Sequence, residues 1–300
     1  MSQLVEKATR TLEAAGIDTA RADAEWLLAA LMGCGRLGIY LPREVPAATA
    51  ERYEFAIRRR ASGEPVQQIM GWEEFRGLRL TVTADVLIPR PETEVLVDRA
   101  LELLPSTDAL ARVVDVGTGS GAIACALASE RRRIAVLAID TSIAAARVAR
   151  ENCRSLGVGG RVRVVAGDVL SCVRPASVDL VVSNPPYLSD AMLEAAPREV
   201  REREPTGALL GGLDGLAILR RLVVQASRIL KSGAPLIVET AGASQVDAVA
   251  ALFEDAGYGD VRRQPDLAGV LRFVSGHRSR VPSVGGVEPA GAGQLIERTP

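Results

Sequence analysis

The tetrapeptide Asn184-Pro185-Pro186-Tyr187 places hydrogen-bond acceptors beside an aromatic ring in a stiff turn. It follows residues 178–183, a short apolar run that is typical of a buried strand. Each proline fixes its own φ and restricts the residue before it, so the carbonyl groups near Asn184 and Pro185 are held in place. Such a turn suits a planar NH2 group, which donates two hydrogen bonds and has a flat face. Alone, these residues fit equally well a turn that merely ends a strand, with asparagine as its polar corner.

A glycine-rich segment upstream is a candidate cofactor loop. Residues 115–121 have the sequence Asp-Val-Gly-Thr-Gly-Ser-Gly, between strand-like residues 112–114 and helix-like residues 122–128. Glycines let the backbone approach a ligand closely, and the start of a helix presents free N–H groups to an anionic group. The residues expected at the cofactor are Gly117, Thr118, Gly119, Ser120 and Gly121.

Two acidic residues end the next two predicted strands. Residues 134–139 indicate a buried strand that ends at Asp140, about 20 residues after the glycines, where a carboxylate can accept hydrogen bonds from both hydroxyls of a ribose. Asp168 ends the stretch 162–167 and is placed to meet an adenine edge.

The glycine pattern alone leaves two cofactor classes open. Gly117, Gly119 and Ala122 also satisfy the dinucleotide fingerprint, so a nicotinamide enzyme is a competing interpretation. Asp115 weighs against it, because a carboxylate just before the glycines would crowd a pyrophosphate but could face a cation. The turn at Asn184 also has no evident role in hydride transfer. A sulfonium cofactor with an amino-acid tail fits these residues better.

Taken together, residues 115–121, Asp140, Asp168 and the turn at 184–187 resemble the class I methyltransferases that use S-adenosyl-L-methionine. The tetrapeptide resembles that of members acting on planar nitrogen, which is adenine N6, guanine N2 or a glutamine amide. The stretch 86–94, Val-Leu-Ile-Pro-Arg-Pro-Glu-Thr-Glu, closely resembles the release-factor glutamine methyltransferases.

The resemblance to that family extends over residues 1–275 in order and spacing. Further similar positions are 63–65, 69–71, Glu74, Phe75, 211–216, Glu239, Gly242 and Gln245. Gln68 departs from the pattern where the family often has an aromatic residue. The resemblance implies that Val169 contacts the cofactor beside the adenine, at a position where some members have a bulky aromatic. Neither departure removes a reacting group.

The resemblance implies a fold and an activity. The fold is α/β, a Rossmann-like, mostly parallel, doubly wound sheet with an antiparallel closing strand, plus a small N-terminal helical domain and a hairpin linker. The activity is methyl transfer to the side-chain amide N5 of the glutamine in the Gly-Gly-Gln motif of peptide chain release factors. Asn184, Pro185 and Tyr187 would act in catalysis, Pro186 would contact the substrate, and Asn184 would also border the cofactor.

Two other function classes stay open. The turn at Asn184 alone would permit methylation of an exocyclic amine in DNA or RNA, and the glycine loop alone would permit a cofactor-binding scaffold without catalysis. A net charge of −1 provides no broad basic field for nucleic acid. The intact acceptor turn argues against a scaffold.

Hydrophobic patterning predicts four segments. Residues 1–70 show helical spacing and are expected to form a helical substrate-recognition domain, and residues 71–90 alternate loosely as a β-hairpin linker. Residues 91–275 alternate strand and helix patterns, as a methyltransferase domain with a parallel sheet would. Residues 276–300 are rich in Gly, Pro and Ser and predict a disordered tail. The mixed charges of residues 198–204 predict a solvated face.

Composition sets further limits. The 300 residues are 48% hydrophobic, enough for a large and a small domain. The four cysteines lack metal-binding spacing and His277 is the sole histidine, so no metal site is expected. The first residues lack the apolar region of a signal peptide, and no run reaches membrane-spanning length. We expect a cytoplasmic monomer that binds neither membranes nor nucleic acid directly.

Overall fold

The computed structural model describes residues 2–42, 44–105 and 109–279. Its N-terminal part is helical, as the spacing of apolar residues predicts. The elements are α1 (Ser2–Ala14), α2 (Ala20–Met32), a 3-10 helix (Arg36–Tyr40), α3 (Ala47–Ala61) and α4 (Val66–Met70). Leu12, Leu28 and Tyr53 are buried between these helices. The Tyr53 hydroxyl donates to the Ala24 carbonyl oxygen at 2.9 Å, so α3 is tied to α2 by a polar contact as well as by packing.

A two-stranded antiparallel hairpin follows, as predicted. It consists of β1 (Trp72–Phe75) and β2 (Leu78–Thr81), with Trp72 opposite Thr81. Phe75 and Leu80 are buried in the same core as the large sheet, so the hairpin packs against that sheet rather than standing apart. Helix α5 (Pro91–Leu103) then begins with proline at its first position, where the missing N–H has no helical partner to lose.

Seven strands form the central sheet, in the order β5-β4-β3-β6-β7-β9-β8. The strands are β3 (Ala111–Val116), β4 (Ile134–Asp140), β5 (Val162–Ala166), β6 (Leu180–Ser183), β7 (Pro235–Glu239), β8 (Tyr258–Pro265) and β9 (Leu271–Arg278). The first five in spatial order are parallel, and β9 pairs antiparallel with both β7 and β8. The expected sheet with an antiparallel closing strand is therefore confirmed.

Helices cover both faces of this sheet and enclose two apolar cores. The remaining helices are α6 (Ala122–Glu130), α7 (Ile143–Ser155), α8 (Asp190–Glu194), α9 (Arg198–Arg203), α10 (Thr206–Leu209), α11 (Ala217–Ile229) and α12 (Ala243–Asp255). The chain order reverses between β3 and β6, which creates the crevice at the carboxyl ends of the strands where open α/β sheets bind ligands. None of the helices within the described ranges is both long and apolar enough to cross a bilayer.

Two sequence expectations need correction. The solvated face predicted at 198–204 contains Glu204, which is buried and pairs with Arg90, because that cation compensates the carboxylate at the start of α5. Strand β9 continues to Arg278, three residues into the predicted tail, because Gly276 and His277 pair with Leu236 and Pro235 of β7. Positions 280–300 of that predicted tail lie outside the described residues.

Asn152 of α7 connects the hairpin to the glycine segment. Its Oδ1 accepts from the Thr81 N–H at 2.8 Å, and its Nδ2 donates to the carbonyl oxygens of Thr81 at 3.0 Å and Ser120 at 2.8 Å. The side chain is fully buried, so no water replaces these partners.

We expect Asn152→Ala to destabilise the fold. A buried polar group without a partner costs about 1–3 kcal/mol, so losing this amide should lower the free energy of unfolding by roughly 2–4 kcal/mol. The measurement is urea unfolding followed by circular dichroism. The exposed neighbour Glu151→Ala is the control and should stay within about 0.5 kcal/mol of the wild type. Equal midpoints for the two variants would contradict this role of Asn152.

Candidate active site

A cavity of about 410 Å³ lies at the carboxyl ends of the parallel strands. Its size suits a cofactor, since ligand pockets run from about 300 to 1,000 Å³. Six of the residues predicted at the cofactor line it: Gly117, Gly119, Asp140, Asp168, Val169 and Asn184. Thr118 and Ser120 are buried in the turn below it. The sheet topology thus brings together residues from four separate strand ends.

The glycine turn follows β3 and has a backbone that favours glycine. Gly117, Gly119 and Gly121 have φ values of +70°, +55° and +83°, in the left-handed region where a Cβ atom is strained. A Cβ on Gly121 would also lie 3.2 Å from the Cα and Cβ atoms of Ala149 in α7. The third glycine therefore permits close packing of α6 on α7, whereas the first two shape the cavity wall.

Asp115 lies beneath this turn, where it is fully buried. Its Oδ2 accepts a hydrogen bond from the Thr118 hydroxyl at 2.6 Å. Burial raises the pKa of Asp115 to about 7, against the opposing effect of the Thr118 hydrogen bond. The sequence suggested that this carboxylate faces a cation in the cavity; in the structure it instead anchors Thr118.

Asp140 faces the cavity from the end of β4. Its Oδ2 accepts from the Gly119 N–H at 2.8 Å and its Oδ1 from the Ser142 N–H at 2.9 Å. An ionised carboxylate can accept about four hydrogen bonds, so two acceptor positions remain for a ligand. The two backbone contacts fix the plane of the carboxylate and join it to the glycine turn.

Asp168 and Val169 form the far end of the cavity. The Asp168 carboxylate pairs with Arg221 of α11. Val169 is buried and has a φ of +50°, an unusual conformation for a β-branched residue. The Leu170 N–H donates to Gln225 Oε1 at 3.0 Å, so α11 also holds the backbone of this loop.

A second, smaller cavity adjoins the turn after β6. It has a volume of about 170 Å³ and is lined by Arg90, Pro185, Tyr187 and Leu188, among others. Asn184, Leu87 and Ala208 line both cavities. A group held in the small cavity and a group held in the large one would therefore meet at Asn184.

Hydrogen bonds join the Asn184 side chain to two other elements. Asn184 Nδ2 donates to Thr93 Oγ1 at 3.0 Å, and the Thr93 hydroxyl donates to Glu239 Oε2 at 2.8 Å. The Tyr187 hydroxyl donates to Glu239 Oε1 at 3.3 Å. Burial raises the pKa of Glu239 to about 7, and it raises the pKa of Tyr187 as well. One carboxylate thus accepts hydrogen bonds from a hydroxyl group of α5 and a hydroxyl group of the turn.

Comparison with known proteins places the chain in a family. The PrmC N-terminal domain matches residues 3–71, and the methyltransferase small domain matches residues 93–200. The release factor glutamine methyltransferase of Cereibacter sphaeroides is 43% identical over 274 residues, 91% of this chain and 95% of the relative. That of Koribacter versatilis is 40% identical over 281 residues, 93% and 98% of the two chains. The chain belongs to the release factor glutamine methyltransferase family.

Solved structures support the fold of this family member. A methyltransferase from Pyrococcus furiosus has a TM-score of 0.52 and 17% identity, covering 68% of this chain and 90% of that chain. The human methyltransferase 10 domain containing protein has a TM-score of 0.51 and 16% identity, and the match covers 67% of this chain and 89% of that chain. At this level of identity the likeness concerns the fold alone.

Sequence reasoning missed one part of the site in this methyltransferase. The sequence predicts no contact between Thr93 and the turn, and it marks Glu239 as a position similar to the family without a role. A usable signal existed for Glu239, because it ends the buried run 235–239 just as Asp140 ends its own strand. Thr93 carries no such local signal, since only the tertiary fold brings α5 to the turn.

The back of the turn packs against residues 211–215 of this methyltransferase. A Cβ on Gly211 would lie 2.7 Å from the Pro186 carbonyl oxygen. A Cβ on Gly215 would overlap the Tyr187 carbonyl oxygen and lie 2.5 Å from Gln245 Nε2. Gln245 Nε2 in turn donates to the Tyr187 carbonyl oxygen at 2.8 Å. The turn is therefore held from behind by glycines that leave room for its carbonyl groups.

We expect Gly215→Ala to displace the turn. The φ of Gly215 is +74° and the new methyl group would overlap backbone, so the strain should destabilise the protein by about 1–3 kcal/mol and move Tyr187. Methyltransferase activity should fall at least about tenfold, since small misplacements of a positioning group are costly. Gly160→Ala is the control, because Gly160 is exposed and has open space around it. Activity and melting temperature equal to those of Gly160→Ala would exclude this packing role.

Proposed function

We propose that this protein transfers a methyl group from S-adenosyl-L-methionine to the side-chain amide N5 of the glutamine in the Gly-Gly-Gln motif of peptide chain release factors. The observation that carries the proposal is the position of Asn184, which lines both the cofactor-sized cavity and the small cavity beside it. The relatives support the choice of substrate, since both are named release factor glutamine methyltransferases and the chain matches them over almost their whole length.

The large cavity fits the cofactor by its chemistry as well as by its volume. Asp140 retains acceptor positions for two ribose hydroxyls, and Val169 offers an apolar contact beside Asp168 for an adenine. The glycine turn would pass beneath the methionine portion, where its left-handed residues allow close approach. When bound there, the cofactor supplies an electrophilic sulfonium methyl group.

The turn after β6 suits the amide of a glutamine. An amide nitrogen is a poor nucleophile, because its lone pair is delocalised into the carbonyl group. Asn184 Oδ1 and the Pro185 carbonyl oxygen would accept its two N–H groups, hold the nitrogen in place and stabilise the positive charge that develops on it. Tyr187 lines the small cavity and would pack on the flat face of the amide and exclude water. Orientation of this kind can account for about 7–11 kcal/mol of the barrier.

The substrate assignment is tested by offering labelled S-adenosyl-L-methionine with a purified release factor, DNA and RNA in parallel. We expect one methyl group on the peptide that contains the Gly-Gly-Gln motif, located by mass spectrometry. A release factor with alanine in place of that glutamine is the matched control and should stay unlabelled. Label on DNA or RNA would favour methylation of a nucleic-acid base, and cofactor binding without transfer to any substrate would favour a scaffold.

Asn184→Ala should separate catalysis from cofactor binding. Loss of a preorganised acceptor is expected to lower kcat by about a hundredfold or more, while the Kd for the cofactor, measured by calorimetry, stays within about threefold. Asp140→Asn is the reciprocal control. It keeps an acceptor oxygen but loses the charge, so it should weaken cofactor binding by about tenfold. Wild-type turnover by Asn184→Ala would remove the turn from the mechanism.

A further inference from the structure

Three elements that lie far apart in the sequence meet at one buried carboxylate. Thr93 lies in the first turn of α5, Asn184 follows β6, and Glu239 ends β7. Glu239 is almost fully buried, as is Thr93, so their hydrogen bonds are shielded from water. The contacts Asn184–Thr93 and Thr93–Glu239 form a continuous chain from the reacting turn to the sheet.

The direction of each of these hydrogen bonds follows from which groups carry a proton to donate. An ionised carboxylate only accepts, so both the Thr93 and the Tyr187 hydroxyls must donate to Glu239. The single proton of Thr93 is thereby used, and its oxygen can only accept from Asn184. Asn184 must therefore present Nδ2 to Thr93, which leaves Oδ1 for the cavity side. The network decides which end of the carboxamide faces the substrate.

We propose that Thr93 and ionised Glu239 are positioning residues that fix the orientation of the Asn184 carboxamide for methyl transfer, and that protonation of Glu239 releases this orientation. The inference rests on the proposed function, in which Asn184 Oδ1 accepts a substrate N–H group.

Protonation of Glu239 reverses the donor and acceptor roles in the hydrogen bonds that join it to Thr93 and Asn184. A protonated carboxyl donates one hydrogen bond, and when it donates to Thr93 Oγ1 the Thr93 hydroxyl is free to donate in turn. Asn184 then satisfies Thr93 best by turning Oδ1 toward it, which points an NH2 group at the NH2 group of the substrate. Two donors cannot bond each other, so the substrate amide loses one of its acceptors.

The charged and titratable groups around Glu239 keep this change within an accessible pH range. Burial raises its pKa to about 7, with Glu92 of α5 acting in the same direction. Arg272 of β9 and the hydroxyls of Thr93 and Tyr187 act in the opposite direction. As pH falls through about 7, the protonated fraction grows and the correctly oriented fraction of Asn184 declines.

The test compares Thr93→Val with Thr93→Ser and the wild type over pH 6 to 8.5. Valine keeps the shape but removes the hydroxyl, so we expect kcat at pH 8.5 to fall roughly threefold to tenfold, with the KM for the cofactor little changed. Serine restores the hydroxyl and should return kcat to within about twofold of the wild type. The ratio of wild-type to Thr93→Val activity should shrink toward about one at pH 6. Protonation of Glu239 can change the orientation of Asn184 only in an enzyme that has the Thr93 hydroxyl between them.

Controls separate this inference from general damage and from failure of the proposed function. Thr11→Val removes an exposed hydroxyl in α1 and should leave every value unchanged. Melting temperature and cofactor Kd show whether Thr93→Val is folded. If it is not folded, the pH profiles of the wild type and Thr93→Ser decide. In both enzymes kcat should fall in parallel as the pH drops through about 7, and a kcat that stays constant from pH 6 to 8.5 in both overturns the inference. Wild-type transfer to the release factor with a pH-independent ratio for folded Thr93→Val overturns the inference alone. Absence of wild-type transfer counts against the function itself, and the inference falls with it.

Discussion

The turn after β6 has a fixed position because residues 211–215 pack tightly against it. Gly215 and Gly211 leave room for the carbonyl oxygens of Tyr187 and Pro186, and Gln245 donates a hydrogen bond to the first of these. Two prolines within the turn remove most of its remaining backbone freedom. The geometry of the turn is therefore determined by packing against Gly211, Gly215 and Gln245, which line neither cavity.

The parallel sheet explains why the other groups are within reach of that turn. Parallel strands present their carboxyl ends at one edge, so Asp140, Asn184 and Glu239, which follow or end β4, β6 and β7, are brought to the same side of the molecule. Helix α5 then crosses this edge and inserts Thr93 between Asn184 and Glu239. The segment 86–94 thus connects the hairpin to the turn after β6.

Local patterns in the sequence predicted much of this architecture. The strand expected at 134–139 is found at Ile134–Asp140, and the helix expected at 122–128 is found within Ala122–Glu130, because apolar patterning reports which residues of an element are buried. The same patterns gave the wrong environment for Glu204, since a mixed-charge run contains no information about Arg90, which is 114 positions away. Thr93 and Glu239 are separated by 146 positions, so their contact depends on tertiary structure alone.

The two carboxylates with strongly raised pKa values near the site have a common physical role. Asp115 and Glu239 are both buried, which disfavours their ionised forms, and both accept a hydroxyl group of a threonine. In each case the acceptor determines where the threonine proton points: Thr118 is directed beneath the glycine turn, and Thr93 is directed away from Asn184. A neutral amide at either position could donate as well as accept, so it would leave the direction undetermined. Orientation of hydroxyl groups is therefore the reason that a costly buried charge is useful at both places, one beside the proposed cofactor and the other beside the proposed substrate.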